Sequence, residues 1–270
     1  MADIVTTAFA LKRSPFNASV TDDELWLDDA NTMAVDRLVT AVSRKGHALV
    51  KAESGAGKTS LLRAMRSELS PAHFRIVYTA MVTLGPRDFL RQVCRALGVE
   101  SKATAAAAFN AIQAQVCQMH GDHRIHPVLV IDEVHLIPER TLQHLHILTN
   151  FDFDSQPLLS LVLVGLPEFH ERLRMSIHRS LLTRVSVAVE LRPTDPDRTA
   201  SYVRHRLAGA GAKAELFTPD ALTMLHELSG GLLRSVDVIA SGALTVAART
   251  DQRLVDRHMV TAAYRQTPLA

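Results

Sequence analysis

Cysteine and aromatic residues are scarce in this chain, and long apolar runs are missing. Two cysteines occur among 270 residues. Cys94 and Cys117 form no CxxC pair, which excludes a disulfide framework and a thiolate metal cluster. Each falls in an apolar helical pattern and is expected to be a buried free thiol. The longest apolar runs, around Val128–Ile131 and Leu158–Val164, are far shorter than the roughly 20 residues that cross a bilayer. The start, MADIVTTAFALKRS, has acid near its front and only a short apolar stretch, unlike a signal peptide. A cytoplasmic protein without a membrane segment is expected. Net charge is small as well, +2 from 30 basic and 28 acidic residues, so bulk charge permits nucleic acid without demanding it.

What the chain does have is a strand–helix alternation. It is 47% hydrophobic and 21% charged, as a soluble globular protein is, and is rich in the helix formers alanine and leucine. Residues 1–30 read as an irregular segment packing on the core, with Pro15-Phe16 and Leu25-Trp26-Leu27 as anchors. They hold six acidic and two basic residues, so the basic excess lies elsewhere. Helical spacing predicts a helix over Asn31–Arg44, then a strand over His47–Lys51 and a helix over Lys58–Leu69. Phe74–Thr79 reads as a strand, Pro86–Leu97 and Thr104–Met119 as helices. Pro127–Ile131 and Leu158–Val164 are continuous apolar runs, the signature of parallel strands covered on both faces. Arg184–Leu191 alternates and completes a five-stranded, doubly wound α/β domain over residues 31–191. After the break at Pro193-Thr194-Asp195-Pro196, residues 192–270 read as a small helical domain, with helices over Asp197–Leu207, Pro219–Leu228, Leu232–Thr250 and Val255–Tyr264.

The chemistry concentrates where the first strand ends. Gly55-Ala56-Gly57-Lys58-Thr59 between a strand and a helix is a phosphate-binding loop, with Glu53, Ser54 and Ser60 at its edges. Glycines let backbone N–H groups curl around phosphate oxygens, and the helix N-terminus adds partial positive charge. Lys58 is placed for the β- and γ-phosphates of ATP and Thr59 for Mg²⁺. The usual pattern asks for glycine at position 52, where this chain has Ala52. A second element, Val128-Leu129-Val130-Ile131-Asp132-Glu133, is an apolar strand ending in two carboxylates. Asp132 is expected to hold Mg²⁺ through its water shell, and Glu133 to orient the attacking water. A glutamate beside the magnesium aspartate suits activation of water, which makes the chain an ATP hydrolase rather than a kinase.

With these motifs in place, the chain resembles the AAA+ superfamily, specifically the ExeA/TnsC-type ATPases, a group with MuB- and IstB-like helpers of DNA transposition. The resemblance runs from about Phe9 to Tyr264. Val164-Gly165-Leu166-Pro167-Glu168-Phe169 is similar to the family's vGxPEL turn and Tyr202-Val203-Arg204-His205-Arg206-Leu207 to its YIxhRL helix. Ser229-Gly230-Gly231-Leu232-Leu233-Arg234 resembles its sgGxPR turn, with Leu233 in place of proline. The resemblance implies that Arg234 is a lid arginine touching the γ-phosphate of its own subunit. It implies that Arg184, in Leu182-Thr183-Arg184-Val185, is an arginine finger serving a neighbouring subunit, with Arg179 as runner-up. The first sensor stays unassigned, because Val164-Gly165-Leu166 offers no polar side chain.

A finger in trans implies a homo-oligomer, a ring or helical filament. For DNA, the polar turn Glu100-Ser101-Lys102-Ala103-Thr104 resembles by position a DNA-tracking loop, so Lys102 and Thr104 are expected to touch the phosphates of double-stranded DNA without reading sequence. The implied function is ATP-dependent regulation of DNA transposition, with target DNA delivered to a transposase. A secretion-assembly ATPase and a protein-directed scaffold or loader are the alternatives. Thirteen histidines include His135, His144, His146 and a cluster at His120, His123 and His126 read as lying in a loop; none has a zinc-site spacing, and each is expected to be structural or at the surface.

Overall fold

The computed structural model describes residues 4–17, 19–100 and 102–270, with every side chain in those ranges except that of His123. Ser101, expected in the polar turn beside Lys102, lies outside the described residues. Two compact units emerge from the contacts. An α/β unit takes Ala30–Glu53 and Leu61–Leu191, and a helical unit takes the described residues up to Asp29, the loop Ser54–Ser60 and Arg192–Ala270.

In chain order, α1 (Ile4–Ala8) and a 3-10 turn over Asp22–Glu24 come first. There follow α2 (Asp29–Ser43), β1 (His47–Ala52), α3 (Lys58–Glu68), β2 (Phe74–Thr79), α4 (Pro86–Ala96) and α5 (Ala105–His123). The unit continues with β3 (His126–Ile131), α6 (Glu139–Leu142), α7 (Leu145–Leu148), β4 (Ser160–Gly165), α8 (Pro167–Leu173), α9 (Arg179–Leu182) and β5 (Val185–Leu191). All five strands run parallel in the order β2-β3-β4-β1-β5. This is the doubly wound sheet that the alternation of strand and helix patterns predicts. β3 and β4 are buried at every position, because helices cover both faces of a parallel sheet. The edge strands β2 and β5 alternate buried and exposed positions instead.

The helix faces follow from spacing. α4 starts at Pro86, whose fixed φ suits a first turn, and buries Phe89, Val93 and Cys94. Thr104 caps α5 by accepting the Ala107 N–H at 3.1 Å. Ala108, Ile112, Val116 and Met119 form the buried stripe of α5. Cys117 is exposed, against expectation, because one residue past Val116 is about 100° around the helix from that stripe. The expected histidine loop is corrected too: His120 lies within α5, and His126 opens β3. Leu49, Phe89, Ile112, Leu129, Ile131 and Phe169 belong to one continuous core.

The helical unit holds α10 (Pro196–Gly209), α11 (Pro219–Ser229), α12 (Leu233–Arg249) and α13 (Arg257–Tyr264). Asp195, Thr218 and Asp256 cap α10, α11 and α13 by accepting N–H groups three residues on. Val203, Leu225, Ile239, Leu244 and Val260 pack together, and Val5, Leu11 and Phe16 join them. The Arg206 guanidinium donates to the carbonyls of Pro15 (2.9 Å) and Asn17 (2.6 Å). Trp26 meets Tyr202 edge-on with ring centroids 5.4 Å apart. The N-terminal segment therefore packs on the C-terminal helices. It is not wholly irregular: α1 is five residues, too short to leave a periodic signature. Among the described residues no helix is long and apolar enough to cross a membrane.

Candidate active site

β1 and β3 are separated only by β4, and all three are parallel, so their carboxyl ends share one edge of the sheet. Ligands of open parallel sheets bind outside that edge. Ala52 is the last residue of β1 and is 1% exposed, so its methyl sits in the strand and leaves the loop backbone free.

Beyond Ala52 the chain turns through Gly55 (φ +83°) and Gly57 (φ +102°). These are left-handed conformations open to glycine and strained for other residues. At Gly55 a Cβ would also lie 2.9 Å from the Cβ of Arg234. The Arg234 backbone N–H donates to the Gly55 carbonyl at 3.2 Å. Within the helical unit, then, the first turn of α12 lies directly against the phosphate loop. Lys58, 8% exposed, and Thr59 open α3, whose eleven residues make a helix long enough to carry a terminal dipole. The residues present fit a triphosphate: two glycines in left-handed backbone turn the loop, and an ammonium and a hydroxyl follow at the helix start.

At the end of β3, Asp132 is 6% exposed and both its oxygens are held. Oδ1 accepts the Glu133 N–H and Oδ2 accepts the Tyr78 hydroxyl, each at 2.8 Å. The Asp132 N–H donates to the Thr79 carbonyl at 2.9 Å. Burial, then the Asp132 carboxylate, pushes the Tyr78 phenol up to about 12, so it stays a donor at neutral pH. Glu133 takes a left-handed φ of 51°, which ends the strand and starts a 3-10 turn over Val134–Leu136. Its Oε2 lies 3.6 Å from Nε2 of His135. Tyr78 and His135 were not singled out as site residues by sequence. Tyr78 gave a signal only in register, since Tyr78 and Thr79 pair with Val130 and Ile131 at the end of β3.

The remaining candidates lie elsewhere in the α/β unit. The Arg184 guanidinium donates to Oδ2 of Asp154 at 2.5 Å and to the Ser180 carbonyl at 2.8 Å. Arg179 is exposed at the start of α9. Lys102 pairs with Glu100 at 2.9 Å. Thr104 caps α5 through the bond from the Ala107 N–H, which leaves its hydroxyl proton free to donate.

Residues 40–173 match the family model of an AAA domain. General secretion pathway protein A of Aeromonas hydrophila is 32% identical over 263 residues, which cover 96% of this chain and 48% of that protein. The chain thus spans about half the length of that relative. Among solved structures, Cdc6p of Pyrobaculum aerophilum superposes with a TM-score of 0.68 at 17% identity, over 90% of this chain and 67% of that one. The ORC1 protein of Aeropyrum pernix in complex with DNA gives 0.68 at 19% identity, over 90% of this chain and 66% of that one. Those two likenesses are of fold. Residues 40–173 are thus similar to an AAA domain, on the α/β fold of P-loop proteins.

Proposed function

We propose that this protein is an ATPase that assembles with ATP into a ring or helical filament on duplex DNA and regulates DNA transposition, presenting target DNA to a transposase. In this reading the Lys58 ammonium binds the terminal phosphates and the loop Glu53–Ser60 wraps the chain of phosphates with its N–H groups. Thr59 and Asp132 hold Mg²⁺, which supplies charge neutralisation at the phosphates. Glu133 orients the attacking water, and Tyr78 keeps the Asp132 carboxylate in place. Arg234 reports the γ-phosphate to the helical unit, and Arg184 serves a neighbouring subunit's nucleotide. The protein acts in the cytoplasm, and Lys102 and Thr104 face the DNA backbone.

The observation that carries the nucleotide-dependent part is the contact of Gly55 with Arg234, which ties α12 to the loop that would hold phosphate. Support for DNA comes from the transposition-helper motifs and from the fold shared with an ORC1 protein whose structure contains DNA. A second reading, an ATPase of secretion assembly, is favoured by the 32% identity to the secretion protein. Retention on immobilised duplex DNA, compared with ATP, a slowly hydrolysed analogue and ADP, separates the two. Retention with the ATP-like states alone is expected. Equal retention with ADP, or none in any state, would sink the DNA reading and favour a protein-directed one.

A further inference from the structure

A cavity of about 540 Å³ lies in the α/β unit. Its walls come from the turn after α2, the start of β2, the last turns of α5 and the start of β3. Since β2 and β3 are parallel, the cavity sits at their amino ends, whereas Asp132 follows the carboxyl end of β3. Six residues of strand separate the two, a span of about 20 Å. The cavity is therefore no part of the nucleotide site.

Lys45, Arg124, His73, His120 and His126 line it, with Phe74 as an apolar wall, and none of the lining residues is a carboxylate. Among the described residues neither Lys45 nor Arg124 forms an ion pair. Both hold left-handed backbone, φ 59° and 52°, at the ends of α2 and α5. Two helix carboxyl ends contribute roughly −0.5 elementary charge each. Against the two full positive charges of Lys45 and Arg124 they leave the cavity positive, so dipole compensation does not account for both cations. His126, 4% exposed, bonds Ser160 Oγ through Nε2 at 2.8 Å. Burial, then the charges of Lys45, His120 and His47, pushes its pKa down to about 4, so it is neutral at pH 7.

We propose that this cavity binds a phosphate group, with Lys45 and Arg124 supplying charge and His73 and His120 supplying ring N–H donors. A tetrahedral anion accepts from several directions at once, and a guanidinium fork matches two of its oxygens. That chemistry is offered by a DNA backbone and by free polyphosphate alike. The proposal stands apart from the transposition reading.

The test measures two ligands with magnesium and a saturating, slowly hydrolysed ATP analogue, so that the nucleotide loop is already filled. One arm follows tripolyphosphate by calorimetry; the other follows a labelled 30-base-pair duplex by fluorescence anisotropy across a salt series. The variant Lys45→Asn with Arg124→Asn suits the left-handed backbone, since asparagine tolerates that region. A loss of tenfold or more in at least one arm is expected, with ATP turnover and thermal unfolding unchanged. The arm that moves names the source. In the duplex arm the logarithmic salt slope should also fall by about two, one for each lost cation. Lys45→Arg with Arg124→Lys, which keeps both charges, should bind within about threefold of the parent. Unchanged affinity in both arms, or no binding by the parent in either, would overturn the proposal. Duplex and tripolyphosphate binding that are both left intact by the asparagine variant would remove the cavity and spare the DNA reading. A tripolyphosphate loss without any duplex binding by the parent does the reverse.

Discussion

Replacing Gly55 by alanine tests whether the loop and α12 are joined as described. Two effects add. Alanine at φ +83° carries backbone strain of about 1–2 kcal/mol. Its Cβ would also lie 2.9 Å from the Arg234 Cβ, well inside ordinary contact, so the first turn of α12 must retreat. That movement breaks the bond from the Arg234 N–H to the Gly55 carbonyl, a further loss of about 1 kcal/mol. Gly57→Ala is the control, because its added Cβ would meet nothing closer than Leu233 Cδ1 at 3.6 Å and feels the backbone strain alone. Thermal unfolding should drop by about 4–12 °C for Gly55→Ala and by a few degrees less for Gly57→Ala. Titration with a fluorescent ATP analogue should show at least tenfold weaker binding for Gly55→Ala. Equal unfolding temperatures for the two variants would refute the contact with α12. Parental nucleotide affinity in Gly55→Ala would refute the placement of phosphate at this loop.

Three other outcomes are expected. Glu133→Gln should keep nucleotide affinity and lose turnover by 10²-fold or more, measured by phosphate release, since it retains the side-chain shape without the carboxylate. Arg184→Ala should lose turnover in the assembled protein, and mixing it with Glu133→Gln should restore part of it, because some interfaces then combine an intact Arg184 with an intact Glu133. No recovery at any mixing ratio would place Arg184 outside the neighbour's site. Burial raises the Asp237 carboxyl to about 6 although Arg206 and Tyr202 oppose the shift. A raised carboxyl pKa means the folded chain binds the proton first, so stability rises as pH falls from about 6 to about 4 by on the order of 2–3 kcal/mol. Asp237→Asn should remove that slope from the difference between denaturation curves, and parallel curves across that window would contradict it.

The sheet was legible because both of its signals are local. Runs such as Val128–Ile131 are continuous because β3 is covered on both faces, and the glycine loop announces itself by φ requirements that few residues meet. The position of Asp132 and Glu133 was legible for the same reason, since they follow an apolar strand. Tyr78 was not, because its role depends on the pairing of β2 with β3, and register between strands is not written in either one alone. In the N-terminal segment Phe16 was legible as an anchor, but not that it packs with Val5 and Leu11 against the C-terminal helices. His120 and His126 were read as neighbours in a loop, whereas a helix end and a strand start bring them to one cavity together with His73 and Lys45. Contacts made by residues far apart in sequence are what the chain leaves unsaid.

The pairing of Arg184 with Asp154 bears on how an arginine could be both held and available. Its side chain is 25% exposed and that of Asp154 is 48% exposed. An exposed pair of this kind contributes about 0–1 kcal/mol, because water screens it and two side chains lose freedom. A guanidinium meeting a phosphate makes charge-assisted bonds roughly twice as strong as neutral ones, in a site from which water is largely excluded. Asp154 lies in a run of three left-handed residues, Asp152, Phe153 and Asp154, so the segment that holds the arginine is itself strained and gains by rearranging. The balance favours transfer: a neighbour's nucleotide would draw Arg184 away at little cost, while in its absence Asp154 keeps the guanidinium from other anions.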